Sequence, residues 1–190
     1  MLDCPPGIDL GRLHEVQREP AYEPCPPLRQ GMLLAGIALA PEKKVHKSRH
    51  RNKMDWRSSD VYRRFLNLYA RFVREEVLPA LGLVVGEGPV GFEGVVQSSP
   101  VLRVVMPSPH YATKAHRDAD YGHTPEELNF WVPLTPVWGS NSLFAETFPG
   151  RGDFEAFEGG VGHSFRWWGN QCSHYAEPNT TDGTRVSFDF

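Results

Sequence analysis

NQCSHYAEPNTTDGTRVSFDF, residues 170–190, contains two strand-like segments separated by the turn EPNTTDG. Both segments are rich in β-branched or aromatic residues, and Pro, Asn, Asp and Gly lie between them, which is typical of strands joined by a turn. We therefore predict a β-hairpin. Alternate residues of a strand point to the same side, so Arg185 and Ser187 are expected to share one inward face.

The same pattern recurs through the second half of the chain. Short segments bounded by Gly, Pro, Asn or Asp include VGFEGVVQ, VLRVVMP, ELNFWVPL, SLFAETF and SFRWW. Only one long segment has helical spacing, SSDVYRRFLNLYARFVREEVLPALG, which Ser58 or Ser59 can cap and which Pro79 and Gly82 end. These features predict a mainly β fold with a flanking helix, in which a double-sheet jelly roll forms the core.

The composition bounds the class of protein. A chain of 190 residues favours one domain, here residues 58–190, preceded by an irregular, proline-rich arm, residues 1–57. The net charge of −3 gives no general reason to expect nucleic-acid binding. The N-terminus, MLDCPPGIDLGRLHE, lacks a charged start followed by an apolar core, so no signal peptide is expected, and the longest apolar run, MLLAGIALAP, is too short to span a membrane. A soluble, cytoplasmic protein is expected.

Two further composition features bear on chemistry. The three cysteines include no CxxC pair, which argues against a disulfide framework and a structural zinc site. The arm ends in a basic loop, EKKVHKSRHRNK, residues 42–53. A solvated linker is the favoured interpretation of this loop, and recognition of an acidic or phosphorylated substrate is the alternative.

The stretch AHRDADYGH, residues 115–123, resembles a kinase catalytic loop at first sight. No lysine lies between Lys53 and Lys114, His123 stands where a kinase has Asn, and no DFG follows. A protein kinase is therefore excluded. The GxGxxG match GEGPVG, residues 86–91, precedes a strand-like segment rather than a helix, so it does not indicate a dinucleotide site.

A metal site is a second interpretation of this stretch. On a strand, His116 and Asp118 would face the same side and supply two ligands of a 2-His-1-carboxylate triad. Chance alone predicts about one such His-x-acid pair in this composition, so an ordinary polar turn remains an alternative. His174, followed by Arg185 and Ser187, adds a third ligand and a guanidinium suited to binding a carboxylate.

This ordered set resembles the Fe(II)/2-oxoglutarate-dependent dioxygenases, in the branch named for the streptomycin-biosynthesis protein StrG, over about residues 95–190. The resemblance implies a double-stranded β-helix, with His116, Asp118 and His174 as iron ligands and Arg185 and Ser187 binding 2-oxoglutarate. It also implies oxidation of a small, natural-product-like substrate by O₂, with release of succinate and CO₂. The related halogenases lack the carboxylate ligand, so Asp118 favours hydroxylation or another oxidation.

Polar and aromatic residues near the predicted strand ends complete the candidate site. Asn129 is assigned to the co-substrate contacts. Candidate substrate contacts are Arg103, Tyr111, His123, Trp131 and Glu146. For Arg103 an outward-facing side chain or an internal ion pair is an equal alternative, and for Trp131 core packing is favoured.

Two rival functions remain open at this point. One is a jelly-roll protein that binds a metal or a ligand without oxygen chemistry. The other is a cupin-like isomerase or ring-cleaving enzyme that needs no co-substrate.

Overall fold

The computed structural model of the protein describes residues 9–15, 26–36, 56–83 and 94–190. The chain forms two compact units, one of residues 1–7 and 43–100 and the other of residues 8–42 and 101–190. The basic loop at 42–53 and the GEGPVG turn lie outside the described residues. The division into an arm, 1–57, and a domain, 58–190, stays a prediction.

Helix α1 spans Pro26–Leu34 in the second unit, and helix α2 spans Asp60–Phe72 in the first. The Oγ of Ser59 accepts the backbone N–H of Tyr62 and caps α2, as predicted. The helix continues through a π-helical turn, Val73–Val77, and a last turn, Leu78–Ala80. Its buried residues are Tyr62, Phe65, Tyr69, Val73 and Val77. The predicted long helix is therefore confirmed.

Among the described residues of the second unit, eight strands make up two antiparallel sheets. They are β1 (Val101–Val105), β2 (Tyr111–His116), β3 (Asn129–Pro133), β4 (Phe144–Ala145), β5 (Glu155–Ala156), β6 (Phe165–Trp167), β7 (His174–Pro178) and β8 (Arg185–Asp189). One sheet has the order β1-β8-β3-β6 and the other β2-β7-β4-β5. The mainly β prediction is confirmed, and this arrangement is compatible with a jelly roll.

Two strand-level predictions are wrong. The segment VGFEGVVQ has no regular secondary structure over residues 94–97, its described part, and Val95 is 99% exposed. Strands β7 and β8 do not pair with each other, because β7 pairs with β2 and β4 whereas β8 pairs with β1 and β3. The turn between them therefore carries the chain from one sheet to the other.

Buried Asn179 organises this crossover. Its amide Nδ2 donates to the carbonyls of Gly183 and Val105, and its Oδ1 accepts from the backbone N–H and the hydroxyl of Thr181. The Val105 contact ties the turn to the end of β1, the strand with which β8 pairs. Because an Asx-type turn of this kind looks locally like a hairpin turn, the residues alone did not reveal the change of sheet.

Helix α1 packs against β1 and was not predicted from the sequence. It starts in the proline-rich arm, where proline at the first helical positions is compatible with a helix start. At Gly31 a Cβ atom would lie 2.6 Å from the carbonyl oxygen of Val104, so only glycine permits this approach. The helix therefore covers the face of β1 that carries Val104, the face opposite to Arg103.

Candidate metal centre

Three side chains converge at the ends of β2 and β7. His116 ends β2, His174 begins β7, and the two residues are cross-strand partners. Asp118 Oδ1 lies 3.7 Å from His116 Nε2 and 3.5 Å from His174 Nε2. One ligand atom from each residue falls within 4.8 Å of the others, so the three residues can hold a metal ion.

Asp118 reaches this position by a route that the sequence analysis did not foresee. Strand β2 ends at His116, and Asp118 opens a 3-10 turn, Asp118–Tyr121, instead of continuing the strand. The backbone N–H of Asp118 donates to the carbonyl of Gly169 at 2.9 Å. The turn and this hydrogen bond, not strand alternation, therefore bring the carboxylate to the two imidazoles.

The hydrogen bonds of the two histidines fix their tautomers. His116 Nδ1 lies 2.8 Å from the carbonyl oxygen of Lys114, and His174 Nδ1 lies 3.1 Å from that of Cys172. A carbonyl oxygen only accepts, so each ring carries its proton on Nδ1. Nε2 is therefore the nitrogen of each ring that faces Asp118. Histidines that bind a metal commonly donate a hydrogen bond from their other ring nitrogen to a carbonyl in the same way.

Burial keeps His174 in the neutral form that binds metals. Desolvation lowers its pKa, and the neighbouring His116 and Arg103 act in the same direction, although the Cys172 carbonyl and the Asp118 carboxylate oppose them. A metal ligand must be deprotonated, so the environment favours coordination. Two imidazole nitrogens and one carboxylate oxygen form a donor set suited to a divalent cation.

One face of the sheet β1-β8-β3-β6 carries Arg185. Arg185 is the most deeply buried charged residue in the described part of the chain, with 2% of its surface exposed. Its Nη1 donates to the carbonyls of Asn141 and Ser142 at 2.8 and 3.0 Å, and its Cζ lies 5.4 Å from the centroid of the Trp131 ring. Burial, reinforced by the charge of Arg103, lowers the pKa of Arg185 to about 10. The guanidinium therefore remains charged at neutral pH.

Several polar atoms around this face have no hydrogen-bond partner among the described residues. They are Arg185 Nε, Ser187 Oγ, Ser142 Oγ and Trp167 Nε1, and all are buried. Within the described ranges no carboxylate forms an ion pair with Arg185. Leaving the Nε–H of a buried guanidinium and a buried hydroxyl without hydrogen-bond partners is costly, so these atoms are suited to an anionic ligand.

Strand register places Arg185 and the metal cluster on the same side of the first sheet. Ser187 pairs with Arg103 and Pro133, and Asp189 pairs with Trp131. Cross-strand partners share a face, as do alternate residues, so this face also carries Asn129. Asn129 Nδ2 donates to Asp118 Oδ2 at 3.0 Å. The predicted co-substrate contact Asn129 thus lies directly against a candidate metal ligand.

Arg103 has a partner on this face. Its Nε and Nη2 donate to the two carboxylate oxygens of Asp189 at 2.6 and 3.0 Å. Partial burial disfavours the cation, but Asp189, with a smaller contribution from Asp118, outweighs this effect and raises the pKa of Arg103. The internal ion pair, one alternative for Arg103 in the sequence analysis, is therefore present. The charge of Asp118 in the metal cluster also acts on Arg103.

The other predicted substrate contacts have different surroundings. Tyr111 is 57% exposed and lies at the end of β2 opposite to His116. His123 is exposed and forms a 2.7 Å ion pair with Glu127, whose hydrogen bond raises the pKa of His123. Trp131 is buried in the core under Arg185, with Val137 and Leu143.

Glu146 is buried and its carboxylate accepts three backbone N–H groups. Oε2 accepts from Ser173 at 2.8 Å and Gly150 at 3.3 Å, and Oε1 accepts from Gly152 at 2.9 Å. These bonds, that of Ser173 first, lower the pKa of Glu146. Ser173 immediately precedes His174, so Glu146 anchors the start of β7.

A pocket of about 240 Å³ is lined by two neighbours of His174, Ala145 and Trp167, although not by His174 itself. Ala145 on its wall is the cross-strand partner of His174, and the ring of Trp167 meets that of His174 edge-on at 5.7 Å between centroids. The lining residues include Glu146, Phe148, Phe157, Arg166, Trp168 and Cys172. Trp167, the last residue of β6, packs against the core, whereas Trp168 follows the strand and is 42% exposed.

Sequence reasoning missed Gly169, Trp167 and Arg166 as neighbours of the site. Gly169 accepts the N–H of Asp118 and donates its own N–H to Asn129 Oδ1 at 2.8 Å. The sequence indicates that Gly169 follows a strand, but it does not indicate that Gly169 contacts Asp118, 51 positions earlier.

Comparison with known proteins gives one curated relative. The chain is 36% identical over 98 residues to the streptomycin biosynthesis protein StrG of Streptomyces griseus. The match covers 50% of this chain and 44% of StrG, so the chain spans less than half the length of that relative. No known protein-family model matches the sequence.

A solved structure described as a non-heme monooxygenase, the ThoJ–Ni complex, aligns with 48% of this chain and 41% of its own. The sequence identity is 20% and the TM-score is 0.39. None of the described helices is long and apolar enough to cross a membrane.

Proposed function

We propose that the protein is a non-haem Fe(II)/2-oxoglutarate-dependent oxygenase that hydroxylates a small, natural-product-like molecule. The observation that carries this proposal is the convergence of His116, Asp118 and His174, next to a sheet face with a buried Arg185 that forms no ion pair with a described carboxylate. A metal site alone does not need the arginine, and an arginine clamp alone does not need the triad.

The donor set fits Fe(II). Two imidazole nitrogens and one carboxylate oxygen form the 2-His-1-carboxylate triad, which leaves coordination positions open for other ligands. Because Nδ1 of each ring is engaged with a carbonyl oxygen, Nε2 is the nitrogen that each histidine offers to the metal. When bound, Fe(II) with 2-oxoglutarate and O₂ supplies the oxidising power for hydroxylation of a C–H bond, with succinate and CO₂ as by-products.

Arg185 and Ser187 fit the far carboxylate of 2-oxoglutarate. Nη1 of Arg185 is occupied by two carbonyls, so the edge of the guanidinium that carries Nε is the one available to a ligand. The hydroxyl of Ser187, two residues along the same strand face, adds a donor. A charge-assisted, side-on contact would compensate the buried cation.

The substrate is proposed to bind in the pocket beside His174. Aromatic rings of Phe157 and Trp167 supply apolar walls, and the buried Trp167 Nε1 offers a donor without a described partner. Ala145 leaves space next to His174 because its side chain is a single methyl group. Concave sites with apolar walls and few polar groups are typical of small-molecule binding.

The fold is proposed to be a double-stranded β-helix. Two four-stranded sheets with the orders β1-β8-β3-β6 and β2-β7-β4-β5 support it, because a double-sheet jelly roll has eight strands distributed over two Greek keys. In this arrangement β2 and β7 bring the histidines together while β8 presents Arg185 from the facing sheet.

The direct test is an anaerobic titration of the metal-free protein with Fe(II) and then with 2-oxoglutarate. A metal-to-ligand charge-transfer band is expected only when both are present. A melting temperature that rises with 2-oxoglutarate only in the presence of the metal would support the same conclusion. Metal binding without any response to 2-oxoglutarate would favour a metal-binding protein or a co-substrate-free cupin enzyme instead.

A further inference from the structure

The carboxylate of Asp118 has two oxygens in different surroundings. Oδ1 faces the Nε2 atoms of both histidines, whereas Oδ2 accepts a hydrogen bond from Asn129 Nδ2 at 3.0 Å. A carboxylate can bind a metal through one oxygen or through both. Here one oxygen is directed to the centre and the other is engaged elsewhere.

The orientation of the Asn129 amide follows from its other contact. The backbone N–H of Gly169 donates to the side-chain oxygen of Asn129 at 2.8 Å. A backbone N–H only donates, so the atom facing Gly169 must be Oδ1 and the NH₂ group must face Asp118. Asn129 therefore offers Asp118 a donor that it cannot exchange for an acceptor.

Gly169 also closes the space around Oδ2. A Cβ atom at this position would lie 2.6 Å from Asp118 Oδ2 and 2.8 Å from Asn129 Oδ1. The carbonyl of Gly169 accepts the backbone N–H of Asp118 at 2.9 Å. This single residue thus fixes the backbone of the ligand, the amide that touches it and the room available to its second oxygen.

We infer that Asn129 and Gly169 are positioning residues that hold Asp118 as a ligand through one oxygen only. Engaging Oδ2 outside the centre leaves one more coordination position for other ligands than a two-oxygen carboxylate would. The inference rests on the proposed metal site. It gives Asn129 a role different from the co-substrate contact expected from the sequence.

The test is a titration of the metal-free, full-length protein with Co(II), followed by its visible d–d absorption. Asn129→Leu keeps the volume and removes the donor. Its Kd for Co(II) is expected to rise about tenfold or more, as for other changes behind a metal ligand. The spectrum at saturation is expected to change as well, because Asp118 is free to bind through both oxygens.

The matched control is Asn170→Leu. Asn170 is 1% exposed, and its Nδ2 donates to the carbonyl of His123, not to Asp118. This variant is expected to lose thermal stability and to keep the wild-type spectrum and Kd for Co(II). A change of spectrum in Asn129→Leu alone therefore cannot be a consequence of lower stability.

Gly169→Ala probes the same contact from the other side and serves if Asn129→Leu does not fold. Its methyl group displaces Oδ2, so the same change of spectrum is expected. Wild-type Kd and spectrum in the folded variants would overturn the inference while leaving the metal site intact. If the wild-type protein binds no Co(II), the proposed metal site fails and the inference fails with it.

Discussion

His116 and His174 are cross-strand partners whose ring centroids lie 4.4 Å apart, although 58 residues separate them in the chain. Each ring donates from Nδ1 to the carbonyl two residues before it. The two imidazoles are thus oriented by their own strands before any ligand arrives. Such preorganisation lets a site bind a metal without reordering its side chains.

Removing Asp118 is expected to abolish activity. Asp118→Ala deletes the carboxylate oxygen that faces both Nε2 atoms, so iron content after loading and succinate formation should both fall to background. Succinate is measured with 2-oxoglutarate and O₂ present. Retained turnover would remove Asp118 from the ligand set.

Asp120→Ala is the matched control for this variant. Asp120 lies in the same turn, but its carboxylate binds Arg117, at 3.0 Å from the backbone nitrogen and 3.3 Å from Nη2. The variant is expected to keep its iron and its succinate formation. Loss of both in Asp120→Ala would show that the turn, rather than the ligand, had been tested.

Arg185→Met is expected to remove the response to 2-oxoglutarate while leaving metal binding in place. Methionine replaces the unbranched part of the arginine side chain but has no charge and no donor, so it cannot bind a carboxylate. The rise in melting temperature on adding 2-oxoglutarate to the metal-loaded protein should disappear, and the Kd for Co(II) should stay within a few-fold of wild type.

Arg151→Met supplies the comparison for Arg185→Met. Arg151 has an exposed side chain and a 3.6 Å ion pair with Asp153, and exposed pairs of this kind contribute little to stability. Its response to 2-oxoglutarate should match that of the wild-type protein. A normal response in Arg185→Met would exclude the proposed clamp.

The sequence allowed most of the strands and the three converging side chains to be predicted, because strand patterns and residue types are local features. His116, Asp118 and His174 do converge, as the resemblance implied. The hairpin prediction was wrong because the residues after β7 do form a turn, but a turn does not determine which strand the next segment pairs with. Strand β8 pairs with β1, whose residues lie 80 or more positions earlier in the chain.

Contacts that join distant residues explain the other differences. The role of Asn129 depends on Gly169, 40 residues later, and no pattern within either segment indicates the pair. Helix α1 was missed because its prolines favour irregular structure unless they occupy a first helical turn. In both cases packing in the folded chain decides what local propensity leaves open.

Glu146→Gln is expected to lower stability in a pH-dependent way. The native pKa of Glu146 is depressed, chiefly by the N–H of Ser173, so the ionised form stabilises the fold at pH above its ordinary value of 4.5. This contribution is lost as pH falls through the lower, native pKa. The wild-type protein should therefore unfold at higher urea concentration than the variant at pH 7, and the difference should shrink on acidification below 4.5. A difference that is constant with pH would mean that the charge of Glu146 does not matter.

Trp167 is expected to report metal binding by its fluorescence. Its ring lies 5.7 Å from that of His174, so a Co(II) ion bound by His174 would be close enough to quench its emission. Titrating the wild-type protein with Co(II) should decrease tryptophan emission with the same Kd as the d–d absorption. Trp167→Phe should lose most of this quenching and keep the absorption.

Trp168→Phe is the neighbouring control, since Trp168 is 42% exposed and its Nε1 donates to the carbonyl of Pro125. Equal quenching in Trp167→Phe and the wild-type protein would mean that the ion binds away from His174, and it would therefore contradict the proposed triad itself.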